Sequence, residues 1–250
     1  MPNKMYAIAK ALVGWTFHVW NRPEIEGLEQ IPDEGAAILA SNHQAVMDSI
    51  YLPLLVDRQI TFPAKSEYFT TPGVLGRARA WFFRAAGQIP VDRDATDAGQ
   101  AMVTAARSVL DRGDLLCIYP EGTRSPDGRL YKGRTGMARI AMATGHPVIP
   151  IAMIDSRKAN PIGTWLLRPT KVRIIVGEAI DPHAWAEEQG LDRDDRAVMR
   201  KFTDHLMAVL AELTGEPYVD VYATDVKKSL AAGDGYPAGA EPGGELETRG

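Results

Sequence analysis

Cysteine is almost missing from this chain: Cys117 is the only one among 250 residues. A single cysteine cannot form an internal disulfide, and no group of cysteines has the spacing of a zinc site. Because Cys117 lies in the apolar run 115–118, we interpret it as a buried strand residue. The sequence therefore fits a reducing compartment, and neither a metal ion nor a bound cofactor is expected.

Positive charge is also in short supply. The chain has 28 Lys and Arg against 32 Asp and Glu, which gives a net charge of −4. This balance does not favour binding to nucleic acid, so no nucleic acid is expected as a partner. Any anion site must then be a local basic cluster. Apolar residues make up 45% of the chain, which is enough for the core of one domain.

A long apolar run is missing as well. The apolar stretch 5–20 is interrupted by Lys10 and His18 and is shorter than the roughly 20 apolar residues of a spanning helix. A small-residue cleavage site does not follow it, so a signal peptide is not predicted. Trp15 and Trp20 favour an amphipathic helix on a membrane surface over residues 1–22. The alternative is a helix that packs on the domain's own core.

Strand-like and helix-like segments alternate along the rest of the chain. This order predicts an α/β fold with a largely parallel central sheet flanked by helices, behind the N-terminal amphipathic helical element. The segment 231–250 is rich in Gly, Pro, Ala and Glu and is predicted to be a disordered tail, which leaves 23–230 as the folded domain. The predicted strands are 36–40, 60–64, 88–91, 115–119, 147–154 and 172–176, and the main predicted helices are 97–112, 135–144 and 192–213.

His43 and Asp48 follow the first buried strand and are the strongest candidates for catalysis. A histidine accepts a proton from a hydroxyl near neutral pH, and a carboxylate on its other ring nitrogen fixes the tautomer. Because no serine or cysteine stands in a nucleophile elbow beside them, the substrate is expected to bring the nucleophile. We expect a helix to start near His43 with Asn42 as its cap, and the pair is best aligned if His43 lies at or before the first turn.

Three further motifs follow in order. The run 119–125 reads YPEGTRS, the run 87–93 reads GQIPVDR, and the run 148–152 reads VIPIA. With the HxxxxD motif at His43 and Asp48, they resemble the glycerolipid acyltransferase family, whose best-known members are the 1-acylglycerol-3-phosphate acyltransferases. The resemblance covers the centre of the chain and leaves both ends to be interpreted separately.

The resemblance implies transfer of a fatty acyl group from acyl-CoA, or from acyl-carrier protein, to the free hydroxyl of 1-acylglycerol-3-phosphate, which gives phosphatidic acid. His43 would be the general base and Asp48 the residue that orients it. The protein would work at the cytoplasmic face of the cell membrane, as a peripheral or monotopic protein held by the N-terminal helix. The acyl donor would be a co-substrate rather than a bound cofactor.

The acceptor's phosphate needs fixed cations and hydrogen-bond donors. Arginine suits phosphate because its planar fork donates two bonds. Glu121 is expected to accept from the glycerol hydroxyl or to orient an arginine, and Gly122 to let the backbone approach the ligand. The candidate substrate-binding residues are Lys65, Arg93, Glu121, Gly122, Thr123 and Arg124.

Three other functions stay open at this stage. The same motifs serve acylation of other lysophospholipids, of glycerol-3-phosphate and of glycolipids. A thioester hydrolase would use the His–Asp pair on water and would need neither Arg93 nor Arg124. A non-catalytic lipid-binding protein would keep the fold without needing all of the catalytic side chains.

Overall fold

A computed structural model describes residues 14 and 17–243, except 75, 78–79, 82–86, 92–97, 165–166 and 194. The strands are β1 (Glu24–Glu26), β2 (Ala37–Ser41), β3 (Ile60–Lys65), β4 (Gln88–Val91), β5 (Leu115–Ile118), β6 (Leu130–Tyr131), β7 (Val148–Ile154), β8 (Arg173–Val176) and β9 (Tyr218–Val219). The helices are α1 (Asp48–Leu55), α2 (Glu67–Thr70), α3 (Ala98–Leu110), α4 (Gly136–Thr144), α5 (Ser156–Ala159), α6 (Pro182–Glu188), α7 (Arg196–Thr214) and α8 (Ala223–Ala232).

Seven strands form the central sheet in the order β1-β8-β7-β2-β5-β3-β4. Neighbouring strands are parallel except β7 and β8, which are antiparallel. The short strands β6 and β9 pair with each other in a separate parallel ribbon. This architecture confirms the predicted α/β fold with a largely parallel sheet.

Helices cover both faces of the sheet. Strand β2 is buried along its whole length, as expected for a central strand that has helices on each side. Leu39 packs on the face covered by α1, together with Tyr51 and Leu52. Its neighbour Ile38 points to the opposite face, where it joins the core formed with α3, α4 and α7. The two-residue period of a strand thus divides its apolar side chains between two cores.

The segment after β2 differs from the expected helix. Helix α1 begins at Asp48, and residues 42–47 form a loop, which we call the His43 loop. Asn42 does not cap a helix, because its side chain hydrogen-bonds to the backbone of the neighbouring strand β7. Its Nδ2 donates to Met153 O at 3.0 Å, and its Oδ1 accepts from Met153 N at 2.7 Å. This paired contact fixes the start of the loop to β7.

Most of the predicted N-terminal interfacial helix lies outside the described residues. Within the described part, residues 17–20 are helical. Phe17 is buried and meets Tyr51 edge to face at 5.5 Å, whereas Val19 and Trp20 are 59% and 48% exposed. The Trp20 indole N–H donates to Leu167 O at 3.0 Å. This end of the segment therefore packs on the domain and still exposes apolar surface.

The described part of the C-terminal segment departs from the predicted disordered tail. Helix α8 continues to Ala232, and Ala240 is fully buried in a small cluster with Tyr131 and Val226. The Arg129 guanidinium also donates to Ala240 O and to Glu241 O. A segment of low apolar content is held here by a few buried contacts and by backbone carbonyls, which composition does not reveal. Residues 244–250 lie outside the described residues.

A helix that crosses a bilayer needs about 20 predominantly apolar residues. Within the residues that the structure describes, none of the helices has both the length and the apolar character needed to cross a membrane.

Candidate active site

Three adjacent parallel strands end at the same edge of the sheet. Strand β2 leads into His43, β5 into the segment 119–125, and β7 into Asp155 and Arg157. We call residues 119–125 the Glu121 loop. Ligands in open parallel sheets bind at the carboxyl ends of the strands, so this edge is the expected place for a site.

Asp48 holds the His43 loop in shape. Its Oδ2 lies 2.9 Å from His43 Nδ1 and also accepts the backbone N–H groups of Gln44 at 2.7 Å and Ala45 at 2.9 Å. Asp48 is fully buried at the start of α1, while the His43 side chain is 16% exposed. Because a carboxylate only accepts, Nδ1 carries the hydrogen of a neutral imidazole. Its Nε2 is therefore the nitrogen that accepts a proton.

Tyr119 forms a platform for the imidazole. The rings of His43 and Tyr119 are stacked, with centroids 3.8 Å apart and an angle of 9° between their planes. The Tyr119 hydroxyl lies 2.8 Å from the Ser49 hydroxyl on α1. Asp48 fixes one edge of the His43 ring and Tyr119 fixes its face, so the ring has little freedom to turn.

Glu121 also acts on His43, through the backbone. Its Oε1 accepts from His43 N at 3.0 Å and its Oε2 accepts from Tyr131 N at 3.0 Å. The side chain is 1% exposed, and burial raises its pKa to about 8 even though the two N–H groups act in the opposite direction. Glu121 therefore joins the His43 loop to β6, and its expected contact with the substrate stays a prediction.

The Glu121 loop meets the other side of His43 as well. Ser125 N donates to His43 O at 2.7 Å, so both backbone polar groups of His43 bond to this loop. Gly122 has φ of +73°, and a Cβ there would lie 3.0 Å from Arg134 Cδ. The position thus requires glycine both for its backbone angle and for the close approach of Arg134.

Cations surround the Glu121 loop. Arg124 is half-buried, and among the described residues no carboxylate forms an ion pair with it. Lys227 of α8 donates from Nζ to Thr123 Oγ1 at 2.9 Å. Arg157 of α5 donates to the carbonyl oxygens of Ser125 at 3.0 Å and Pro126 at 2.6 Å. These side chains create a local basic cluster in a chain whose net charge is −4.

Gln44 connects the His43 loop to a second acid, the half-buried Glu216. Its Nε2 donates to Gly128 O at 2.9 Å and to Glu216 Oε2 at 2.7 Å. Burial raises the pKa of the Glu216 carboxyl to about 8, against the hydrogen bonds from Gln44 and Asn42. Glu216 follows the end of α7, so this helix also braces the site.

The predicted residues are only partly brought together. His43, Asp48, Glu121, Gly122, Thr123 and Arg124 gather at one edge of the sheet. Lys65 is the last residue of β3, whose neighbour is β5, and its side chain is outside the described part of the chain. Arg93 lies outside the described residues. Both remain predictions as ligands of the substrate.

Sequence reasoning missed Arg157, Lys227 and the role of Tyr119. Arg157 follows the end of β7, and the rule that parallel strands end at one edge was enough to suggest it. Tyr119 lies in a recognised motif, but a stacking partner is not visible in a motif. Lys227 comes more than 70 residues after the last motif, at Ala152, in a polar segment that carries no signal.

The comparisons with known proteins agree with this fold. The family model described as Acyltransferase matches residues 22–154, which is just over half of the chain and includes both loops. The chain therefore belongs to the acyltransferase family. This match confirms the family relationship that the motifs indicate.

Named relatives are found among plant proteins. The chain is 31% identical over 175 residues to a chloroplastic 1-acyl-sn-glycerol-3-phosphate acyltransferase of Brassica napus and, over the same length, to one of Arabidopsis thaliana. These alignments cover 69% of this chain and 49% and 48% of those proteins. The chain thus spans about half the length of these curated relatives.

A solved structure is similar over most of the chain. It is the crystal structure of the 1-acyl-sn-glycerophosphate acyltransferase PlsC from Thermotoga maritima, with a TM-score of 0.55 and 25% sequence identity. The match covers 85% of this chain and 84% of that one. The fold is therefore shared along nearly the whole length of both proteins.

Proposed function

We propose that this protein transfers a fatty acyl group from acyl-CoA, or from acyl-carrier protein, to the free hydroxyl of 1-acylglycerol-3-phosphate and so forms phosphatidic acid. The observation that carries the proposal is the buried Asp48 carboxylate on His43 Nδ1, next to a loop rich in cations. The names of the plant relatives and of the Thermotoga protein support the choice of acceptor.

The proposed reaction has a single acyl transfer step. The acceptor's hydroxyl oxygen attacks the carbonyl carbon of the thioester while His43 Nε2 takes the hydroxyl proton. The tetrahedral intermediate then collapses, the carbon–sulfur bond breaks, and the leaving thiolate takes the proton back from the imidazolium. A positioned general base contributes typically about 10²–10⁴-fold to the rate. Asp48 stabilises the imidazolium that forms between the two proton transfers.

The acceptor's phosphate would lie against the Glu121 loop. Arg124 offers a guanidinium that has no carboxylate partner among the described residues, and Thr123 offers a hydroxyl. Charge-assisted hydrogen bonds are the strong ones in proteins, and guanidinium matches phosphate geometry. Because this loop also bonds to the backbone of His43, binding of the phosphate would set the hydroxyl's distance from the base.

We place the enzyme at the cytoplasmic face of the cell membrane, as a peripheral or monotopic protein. A lysophospholipid acceptor resides in a bilayer, and the described end of the N-terminal segment exposes Val19 and Trp20. Val46 in the His43 loop is also 42% exposed, beside the site. Co-sedimentation with anionic vesicles tests this, and Trp20→Ala should weaken binding if the segment inserts at the interface. Equal binding by this variant would remove the segment from the proposal.

The decisive assay uses purified protein, palmitoyl-CoA and a panel of acceptors in detergent micelles. Released CoA is followed and the products are separated by mass, for wild type and for His43→Ala. The control is His146→Ala, because His146 precedes β7 at the opposite edge of the sheet. We expect phosphatidic acid from wild type and control, and a rate about 10²–10⁴-fold lower from His43→Ala.

Each other outcome changes a stated part of the proposal. Acylation of lysophosphatidylcholine, glycerol-3-phosphate or a glycolipid instead would keep the mechanism and replace the acceptor. Release of CoA without any acceptor would identify a thioester hydrolase. Full activity in His43→Ala would remove the general-base role, and lipid binding without turnover in wild type would indicate a non-catalytic protein.

A further inference from the structure

Lys227 reaches the Glu121 loop from a part of the chain that lies beyond the recognised motifs. Its Nζ donates to Thr123 Oγ1 at 2.9 Å. An ammonium has three donors, and among the described residues the Thr123 hydroxyl is its one hydrogen-bond acceptor. Residues 22–154 contain the whole family match, so Lys227 is not one of the family's motif residues.

Helix α8 is anchored so that Lys227 faces the loop. Ala223 and Val226 are fully buried with Tyr131. Thr224 and Lys227, which follow these two residues, face the Glu121 loop and its neighbour Arg134. Thr224 accepts from Arg134 Nη2 at 2.7 Å, and Lys227 donates to Thr123. The position of the ammonium is therefore set by helix packing and does not depend on its own flexible stem alone.

The ammonium lies among charges of the same sign. Burial lowers the pKa of Lys227, and Arg124 and Arg157 lower it further, while Glu121 acts in the opposite direction. Like charges that are brought together in a half-buried place repel one another, and an anion bound between them relieves the repulsion. Both oxygens of Glu121 are engaged by backbone N–H groups, so this acid is not free to move toward the cations.

We propose that Lys227 is a second ligand of the acceptor's phosphate beside Arg124, and that it favours acceptors that carry a phosphomonoester. This inference rests on the proposed function, because it names a specificity residue for that reaction. A monoester phosphate carries about −1.5 to −2 charges at pH 7, whereas a headgroup diester carries one. A third nearby cation therefore favours lysophosphatidate over lysophospholipids whose phosphate is substituted.

The test compares Lys227→Met with Lys228→Met. Lys228 is the next residue on α8 and is exposed, so it is a matched control for removal of one positive charge. We expect KM for lysophosphatidate to rise about tenfold in Lys227→Met, with kcat changed by less than about twofold. Lys227→Arg should keep most of the affinity because it keeps the charge. With lysophosphatidylglycerol, a diester, the change in KM should be about threefold or less.

Failure of this inference is separable from failure of the proposed function. Wild type that makes phosphatidic acid while Lys227→Met and Lys228→Met share one KM would overturn the role of Lys227 and leave the function intact. Wild type that does not acylate lysophosphatidate would overturn the function, and binding of sn-glycerol 3-phosphate, measured by calorimetry, then tests Lys227 directly. Equal affinity of both variants for that probe would again overturn the inference.

Stability must be checked in parallel. Urea unfolding of Lys227→Met and Lys228→Met separates lost binding from a damaged fold. If Lys227→Met is the less stable, Lys227→Gln takes its place, since its amide keeps a donor for Thr123 while it removes the charge. A tenfold higher KM in a variant as stable as the control supports the inference, and an unchanged KM in that variant contradicts it.

Discussion

The His43 loop and the Glu121 loop meet at one edge of the sheet but are held in different ways. The His43 loop has one anchor from its own sequence neighbourhood, because Asp48 accepts from His43, Gln44 and Ala45 within five residues. Its residues 42–44 also bond to remote segments. The Glu121 loop instead collects cations from remote elements, with Arg157 from α5 and Lys227 from α8. The orientation of the base thus rests on a carboxylate close by in sequence, whereas two of the cations around the other loop come from remote elements.

This difference separates two tasks. A general base needs one precise orientation, and hydrogen bonds to a buried carboxylate supply it. A site for a phosphate needs several positive charges, which repel one another and are most easily held by separate rigid elements. We therefore expect damage in the His43 loop to lower kcat and damage around the Glu121 loop to raise KM for the acceptor.

After the loss of His43 itself, the largest expected effect comes from Asp48→Asn. The asparagine keeps an oxygen for the N–H groups of Gln44 and Ala45, but it removes the charge that stabilises the imidazolium. We expect kcat to fall about 100-fold, with KM for the acceptor changed by less than about threefold. Steady-state kinetics on lysophosphatidate measures both, with the exposed Asp33→Asn as control. A rise in KM with kcat preserved would break the proposed division of tasks.

A second test concerns Glu216, the acid that braces the His43 loop through Gln44. Burial raises the pKa of Glu216 to about 8 from its ordinary 4.5. The pKa of Glu216 is higher in the folded than in the unfolded protein. Its contribution to stability is therefore fully present below the unfolded pKa and is lost as the pH rises through about 8. The contribution of Glu121 to stability changes with pH in the same direction, since burial raises its pKa to about 8 as well.

The variant Glu216→Gln should therefore flatten the pH dependence of stability. Glutamine stays uncharged and still accepts from Gln44, so between about pH 5 and about pH 8.5 its free energy of unfolding should fall by up to about 4 kcal/mol less than that of wild type. Urea unfolding at both pH values measures this, with the exposed Glu187→Gln as control. If the free energy of unfolding of wild type and of Glu216→Gln changed equally with pH, Glu216 would ionise in the folded protein without loss of stability.

A smaller effect is expected from the platform under the imidazole. Tyr119→Leu removes the stacked ring, and an aromatic pair contributes about 0.5–1.5 kcal/mol, so kcat should fall up to about tenfold. Tyr119→Phe keeps the ring and loses only the contact with the Ser49 hydroxyl. We expect this variant to stay near wild type. Equal losses in both variants would assign the role to the hydroxyl instead of the stacked face.

The smallest expected effect comes from Gly122→Ala. The residue has φ of +73°, and the new Cβ would press on Arg134 Cδ, which costs about 1 kcal/mol. KM for the acceptor should rise about threefold, because the loop that faces the phosphate shifts. Gly136→Ala is the control, since its Cβ would meet no atom within 4 Å and its φ is ordinary. A fall in kcat with an unchanged KM would instead give Gly122 a role in positioning the base.

The sequence predicts the locally encoded part of this molecule well. Buried apolar runs such as 115–118 predict the strands, and their alternation with helices predicts the parallel sheet, at one edge of which His43 and Glu121 lie. The loop before α1 was mistaken for helix, because a pattern of residue types does not reveal that Asp48 accepts the loop's N–H groups. Contacts such as those of Lys227 arise from packing between distant segments, which no local pattern records.

The central claim is that the two loops divide base catalysis from acceptor binding. The most direct test measures kcat and KM for lysophosphatidate in His43→Ala and Arg124→Met under one set of conditions. We predict that His43→Ala lowers kcat by about 100-fold or more with little change in KM. Arg124→Met should raise KM about tenfold with kcat nearly unchanged. If Arg124→Met lowered kcat at constant KM, or if His43→Ala kept its kcat, the account would be contradicted.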